Sequence, residues 1–162
     1  MSNKIPIFIW ILGAIVIIIG SVYIYQGINK STLVRDVMRD EKVTYLLHRE
    51  DVESGKVIDT GQEAQKVADT IRAHRHDIAT TYEDLLKGGQ YDPTDVQHLI
   101  YGQAMNLENY LYMGVLAFGL TTVVLTSGIT LFIVGITLIL IGLFLQRLQK
   151  NFDRLINAKL ES

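Results

Sequence analysis

The chain has no cysteine, and this absence excludes every function that depends on a thiolate. Disulfide bonds, thiolate metal sites, iron–sulfur clusters and cysteine nucleophiles are ruled out together. The chain also lacks the Walker, dinucleotide-binding, nucleophile-elbow and zinc-protease patterns. We therefore expect no catalytic residues and no cofactor, and we favour a function that is not enzymatic.

Charged side chains are absent from two long stretches, Ile5–Asn29 and Asn109–Gln146. A helix over the 38 residues of the second stretch would be roughly 57 Å long at about 1.5 Å per residue. One bilayer crossing takes about 20 apolar residues, so the second stretch predicts two crossings joined by a turn around Leu125–Ile129. The first stretch predicts another crossing, because its apolar core is longer than that of a signal peptide.

These stretches predict an all-α integral membrane protein with three transmembrane helices, namely one N-terminal span and a C-terminal helical hairpin. A small, mostly helical soluble insert lies between the first and second spans. The expected boundaries are 1–29 for the first span, 30–104 for the insert, 105–146 for the hairpin (spans at about 105–126 and 128–146) and 147–162 for a basic tail.

Basic residues near the ends of the spans predict the orientation. Arg147, Lys150, Arg154 and Lys159 follow the last span, and this excess places the tail in the cytoplasm. With three crossings the insert is also cytoplasmic and the amino terminus lies outside. With two crossings the insert lies on the side opposite the tail, so the number of crossings decides its compartment.

The insert is acidic. Lys30–Glu108 contains 15 acidic and 10 basic residues, a formal charge of −5. Nucleic-acid binding requires a basic surface that displaces counterions from phosphates, so we exclude nucleic acid as a partner. Glu108 itself stands at the predicted membrane boundary, where we expect a hydrated carboxylate.

Residues typical of helix starts predict three helices that begin within the insert. Thr60 and Glu63 fit a capping box that opens a helix with an apolar stripe. Thr81 opens a short helix over Tyr82–Lys87 that ends at two glycines. Pro93 is expected to begin a third helix, which runs to about Thr126.

Glycine recurs every seventh residue in the first and third predicted spans. This period keeps the glycines on one side of each helix, where a partner backbone can approach closely. We expect the first and third spans to pack together through these stripes, although one stripe could instead face another subunit. The helix-packing residues are Gly13, Gly20, Gly27, Gly128, Gly135 and Gly142.

Histidines are the remaining candidates for metal ligands. His74 and His76 point about 200° apart on a helix, so they cannot share an ion. A site would need His74 together with a distant ligand such as His48 or His98, and no ligand spacing indicates one. We expect no metal, and we expect His74 to be buried or interfacial with a hydrogen-bond partner.

The leading hypothesis is a small non-catalytic membrane protein that acts by association, as an accessory, assembly or regulatory subunit. Its partners would be the lipid bilayer and other membrane subunits, or further copies in a homo-oligomer. One alternative is a metal- or cofactor-binding subunit of a membrane enzyme that uses the histidines, and a less favoured one is a holin-like pore. The expected protein-contact residues are Val67, Ile71, His74, Leu99, Ile100 and Leu107.

Overall fold

The computed structural model describes residues 4–41 and 55–160. Within these ranges the chain forms four α-helices: α1 Lys4–Asp40, α2 Gly61–Ile78, α3 Tyr82–Leu86 and α4 Val96–Leu160. The prediction of an all-α protein is therefore confirmed for the described residues. Two compact units are present, one built from Met1–Asn29 with Thr122–Ser162 and one from Lys30–Thr121. We call them the helix-pair unit and the insert unit.

The helix-pair unit consists of the first part of α1 and the second part of α4. Gly13 lies against Gly135, and Gly20 lies against Gly128, so residue numbers rise along one helix as they fall along the other. The two helices are therefore antiparallel. Among the described residues, α1 and α4 are the helices long and apolar enough to cross a membrane.

The prediction of a turn around Leu125–Ile129 is wrong. The 65-residue helix α4 runs through this segment without interruption. The hydroxyl of Thr126 donates to the carbonyl of Thr122 at 2.9 Å, and that of Thr130 donates to the carbonyl of Thr126 at 3.0 Å. These hydroxyls are thus satisfied within one helix.

The turn was predicted wrongly because the charge-free stretch Asn109–Gln146 is divided between the two units. Its first part belongs to the insert unit, where Leu111 is fully buried and Phe118 is nearly so. Only 122–146 belongs to the helix-pair unit, and those 25 residues extend about 37 Å as a helix, which matches a single crossing. One face of the segment 105–121 is therefore covered by protein, whereas Met113 and Leu116 on another face are exposed.

The core of the insert unit lies between α2 and the start of α4. The apolar stripe of α2 provides Ala64, Val67 and Ala68, which pack with Ile58 and Leu111. Ile71, Tyr112 and Val115 pack against this cluster. A stripe repeating every three or four residues faces one direction on a helix, so this α2 face is the one that becomes buried.

Hydrogen-bonding side chains set the ends of these helices. Thr60 accepts the backbone N–H of Glu63 at 3.2 Å, which confirms the predicted cap of α2, although Glu63 accepts from the N–H of Asp59 rather than from Thr60. Thr81 and Asp84 form a complete capping box at α3.

The start of α4 differs from the prediction. It begins at Val96 rather than Pro93. Asp95 accepts the N–H of Gln97 at 2.7 Å and so serves as the cap. Asp92 instead accepts from the N–H of Thr94 at 2.8 Å, which closes a turn ahead of the helix.

Candidate functional site

The glycines of the helix-pair unit lie where the two backbones meet. A Cβ added at Gly13 would lie 2.8 Å from the carbonyl oxygen of Gly135, and one at Gly128 would lie 2.7 Å from the backbone nitrogen of Ile24. At Gly142 the carbonyl oxygen of Pro6 would lie 3.1 Å away. Gly20 and Gly27 make similarly close approaches to α4.

These contacts join one glycine stripe to the other within the same chain. Each stripe is occupied by the partner helix, so neither leaves a free surface for another subunit. Backbone packing of this kind needs small residues because any side chain would separate the helices. The stripes therefore hold α1 and α4 together.

A buried ion pair links α2 to α4 in the insert unit. The Nε of Arg75 donates to a carboxylate oxygen of Glu108 at 2.8 Å, and both side chains are about nine-tenths buried. Arg75 also donates to the hydroxyl of Tyr101, and its guanidinium carbon lies 4.8 Å from the centre of that ring. The expectation that Glu108 is a hydrated carboxylate is wrong, since protein covers it.

The hydrogen bond from Arg75 to Glu108 raises the pKa of the arginine, and the electrostatic attraction of the carboxylate adds to this against the opposing effect of burial. A raised pKa means that the charged form is stabilised by folding. This contribution is present at every pH below the ordinary pKa of arginine and is lost only as the pH rises through the folded value. Arg75 therefore acts as a fixed cation that ties two helices together.

An apolar groove lies beside this ion pair, between α2 and α4. Its volume is about 300 Å³. Four of the expected protein-contact residues meet here. The groove is lined by Ile71, His74, Arg75, Ile78, Ile100, Gln103, Ala104 and Leu107.

The two other expected contact residues lie elsewhere. Val67 is 2% exposed and belongs to the core, because it occupies the centre of the α2 stripe. Leu99 is exposed but does not line the groove. The sequence-based prediction did not include Arg75, although Arg75 follows Ile71 by four residues and therefore lies on the same face of α2.

The histidines occupy separate environments. His74 is exposed on the wall of the groove, so it is not buried, and the alternative that it is interfacial stays a prediction. The Nδ1 of His98 accepts the N–H of Asp92 at 3.0 Å, and its Nε2 lies 3.3 Å from the carbonyl oxygen of Leu85. His98 thus joins the ends of α3 and α4, and its ring stacks on Tyr91.

The Nε2 of His76 lies 3.4 Å from the Nη2 of Arg75. His48 lies outside the described residues. Across 4–41 and 55–160, no three or more potential metal ligands of the His, Cys, Asp or Glu type come together.

Comparison with known proteins adds no family to this geometry. No family model, curated protein or solved structure matches the chain. The groove and the exposed faces of the helices therefore remain as the candidate functional features of the described residues.

Proposed function

We propose that the protein is a small, non-catalytic membrane protein that crosses the bilayer twice and binds another membrane protein through the groove of its insert unit. The observation that carries the proposal is the apolar groove between α2 and α4. The length and apolar character of α1 and α4 support the membrane location. Such a protein acts as an accessory, assembly or regulatory subunit.

A protein with two crossings has a different orientation from the one predicted for three crossings. On the side of the termini, Lys4 precedes the first crossing, and Arg147, Lys150, Arg154 and Lys159 follow the second. On the insert side, fewer basic residues lie next to the crossings, namely Lys30, Arg35 and Arg39. The distribution of basic residues favours the side of the two termini as the cytoplasmic one. The insert unit then lies on the opposite, extracytoplasmic side.

Reporter fusions test this topology. A reporter inserted at residue 60 and another joined after residue 162 should report opposite compartments, because one crossing lies between them. The same compartment for both reporters would contradict the proposal and restore an odd number of crossings. A fusion at the amino terminus is the internal control, since it should agree with the fusion after residue 162.

The shape of the groove favours a helical partner, and the charge of the insert favours a basic one. Its walls are two helices, and an amphipathic helix can lay its apolar side chains into a channel of this kind. The segment Lys30–Glu108, to which most of the groove belongs, has a formal charge of −5 as a whole, and complementary charges steer association and fix its register. We therefore propose that the occupant is an extramembrane helix of another membrane protein, with apolar residues flanked by basic ones.

Two neighbouring residues of α4 provide a matched test. Ile100 lines the groove, whereas Leu99 does not, and both are exposed to a similar degree, at 48% and 42%. Purification of the whole protein in mild detergent should recover a stoichiometric partner. Ile100→Glu should abolish this association because it places a charge among apolar groups, whereas Leu99→Glu should preserve it.

Photo-crosslinking gives an independent measurement. A photoreactive amino acid at position 100 should capture the same partner, and one at position 99 should capture much less of it. A protein without a stoichiometric partner, or equal loss of the partner in both glutamate variants, would overturn the proposal.

A further inference from the structure

The C-terminal part of α4 extends beyond its packing partner in the helix-pair unit. The beginning of α1 lies beside Gly142, where the carbonyl of Pro6 makes its close approach. The helix then continues to Leu160, and every described side chain from Lys150 to Lys159 is exposed. This segment includes large apolar side chains, with Phe152 exposed at 64% and Leu155 at 70%.

The apolar residues of this extension continue a pattern from the charge-free part of α4. They are spaced alternately by three and four residues, which is the spacing of a helix that packs along another helix. We call this set the α4 seam. It consists of Leu138, Ile141, Leu145, Leu148, Phe152 and Leu155.

The seam and the glycine stripe lie on different faces of α4. At 3.6 residues per turn, Gly142 is rotated roughly 90° from the middle of the seam. Beside the packing of α1, Leu138 and Leu145 are half-buried, whereas Ile141, Leu148, Phe152 and Leu155 are exposed. Leu148 is 49% exposed even though it lies within two turns of that packing.

Charges are arranged so that two identical seams can meet. The residues that border the seam are uncharged: Phe144, Asn151 and Ala158 on one side, and Gly142, Gln149 and Ile156 on the other. Arg147, Lys150 and Arg154 lie on the face opposite the seam. In a pair of identical parallel helices, bordering charges of one sign would face each other and repel. None do so between Leu138 and Leu155, and the first charge in the seam register is Lys159 near the end of the helix.

We propose that α4 pairs with α4 of a second copy of this chain through the α4 seam, in parallel orientation. Copies inserted into one membrane share their orientation, and a two-fold axis along the bilayer normal brings the same face of each together. The uninterrupted helix through 146–160 suits this pairing, whereas a helix lying flat on lipid would have to bend away from the crossing. The inference uses the proposed membrane insertion and does not depend on the groove.

The absence of cysteine makes disulfide mapping a direct test. Single replacements Leu148→Cys, Phe152→Cys and Leu155→Cys place a thiol on the seam, and Lys150→Cys and Arg154→Cys place one on the opposite face. After mild oxidation of membranes containing the full chain, the three seam variants should form disulfide dimers. The two controls should form little or none. Equal crosslinking at all five positions, or none at any, would overturn the proposal.

A second measurement separates pairing from binding to lipid. Phe152→Asp should convert the purified dimer to a monomer in mild detergent, whereas Lys150→Asp should leave the dimer intact. Fluorescence of Trp10, the single tryptophan of the chain, reports whether the α1–α4 packing survives in each variant. The groove variant Ile100→Glu should remain dimeric, so failure of the groove proposal is distinguishable from failure of this one.

A lipid-facing seam would give a different result. In the double variant Trp10→Phe with Phe152→Trp, the new tryptophan should show the same emission in neutral vesicles and in vesicles containing anionic lipid. A monomeric protein whose emission shifts to the blue only with anionic lipid would overturn the proposal in favour of surface binding.

Discussion

Replacing Glu108 by leucine is expected to lower the free energy of unfolding of the insert unit by about 3–5 kcal/mol, the cost of leaving one member of a buried ion pair without its partner. Arg75 would keep its charge, because the ordinary pKa of arginine lies far above neutral pH. Its hydrogen bond to Tyr101 cannot replace the lost carboxylate. Hydrogen exchange of the α2 amides, measured on the whole protein in detergent, should show the loss as faster exchange.

Removing both charges should have a much smaller effect. The double variant Arg75→Met with Glu108→Leu replaces the pair by apolar groups, a change that is often neutral or stabilising. Arg72→Ala is the matched surface control. Its guanidinium is 55% exposed and 3.9 Å from Glu108, and exposed pairs contribute about 0–1 kcal/mol. A double variant as unstable as Glu108→Leu would show that the pair itself, rather than the unpaired arginine, determines stability.

Replacing Gly128 by leucine should separate the two helices of the helix-pair unit. Even a Cβ at this position would lie 2.9 Å from the side chain of Tyr23 and 3.0 Å from the carbonyl oxygen of Gly20. Overpacking typically costs about 1–3 kcal/mol and occasionally more. We expect an effect at the upper end, because backbone atoms cannot rotate away as a side chain can. Denaturation by SDS, followed through Trp10 fluorescence, measures the change.

Gly119 provides the matched control on the same helix. No atom lies within 4 Å of a Cβ added there, so Gly119→Leu should be neutral or should stabilise the helix by about 0.5–1 kcal/mol through its better helix propensity. Opposite signs for the two substitutions would separate close packing from propensity. If Gly128→Leu proved as stable as Gly119→Leu, the close approach of α1 and α4 would be refuted.

Local patterns in the sequence predicted the local structure of this protein well. Thr60 and Thr81 cap the helices that their side chains suggested, because a cap depends on residues three positions apart. The seven-residue period placed the six glycines on one face of each helix, and the structure brings those faces together. Ile71 and Ile100 were likewise read from helical periodicity, and both line the groove.

Contacts between residues that are distant in the sequence were not predicted. Arg75 and Glu108 are 33 positions apart, and each looks like a surface charge until α2 packs on α4. The predicted turn near Ser127 failed for a related reason, since one face of the helix around Leu111 packs against α2.

The sequence by itself determined the caps that begin α2 and α3, which helix faces are apolar and where small residues permit close contact. Only the tertiary structure decided what covers each apolar face. The physical reason is that burial of an apolar side chain removes it from water to a similar degree whether the cover is lipid or protein, so hydropathy records the need for a cover without identifying it. The exposed seam of α4 has such a need, and a second copy of the chain is the cover that we propose.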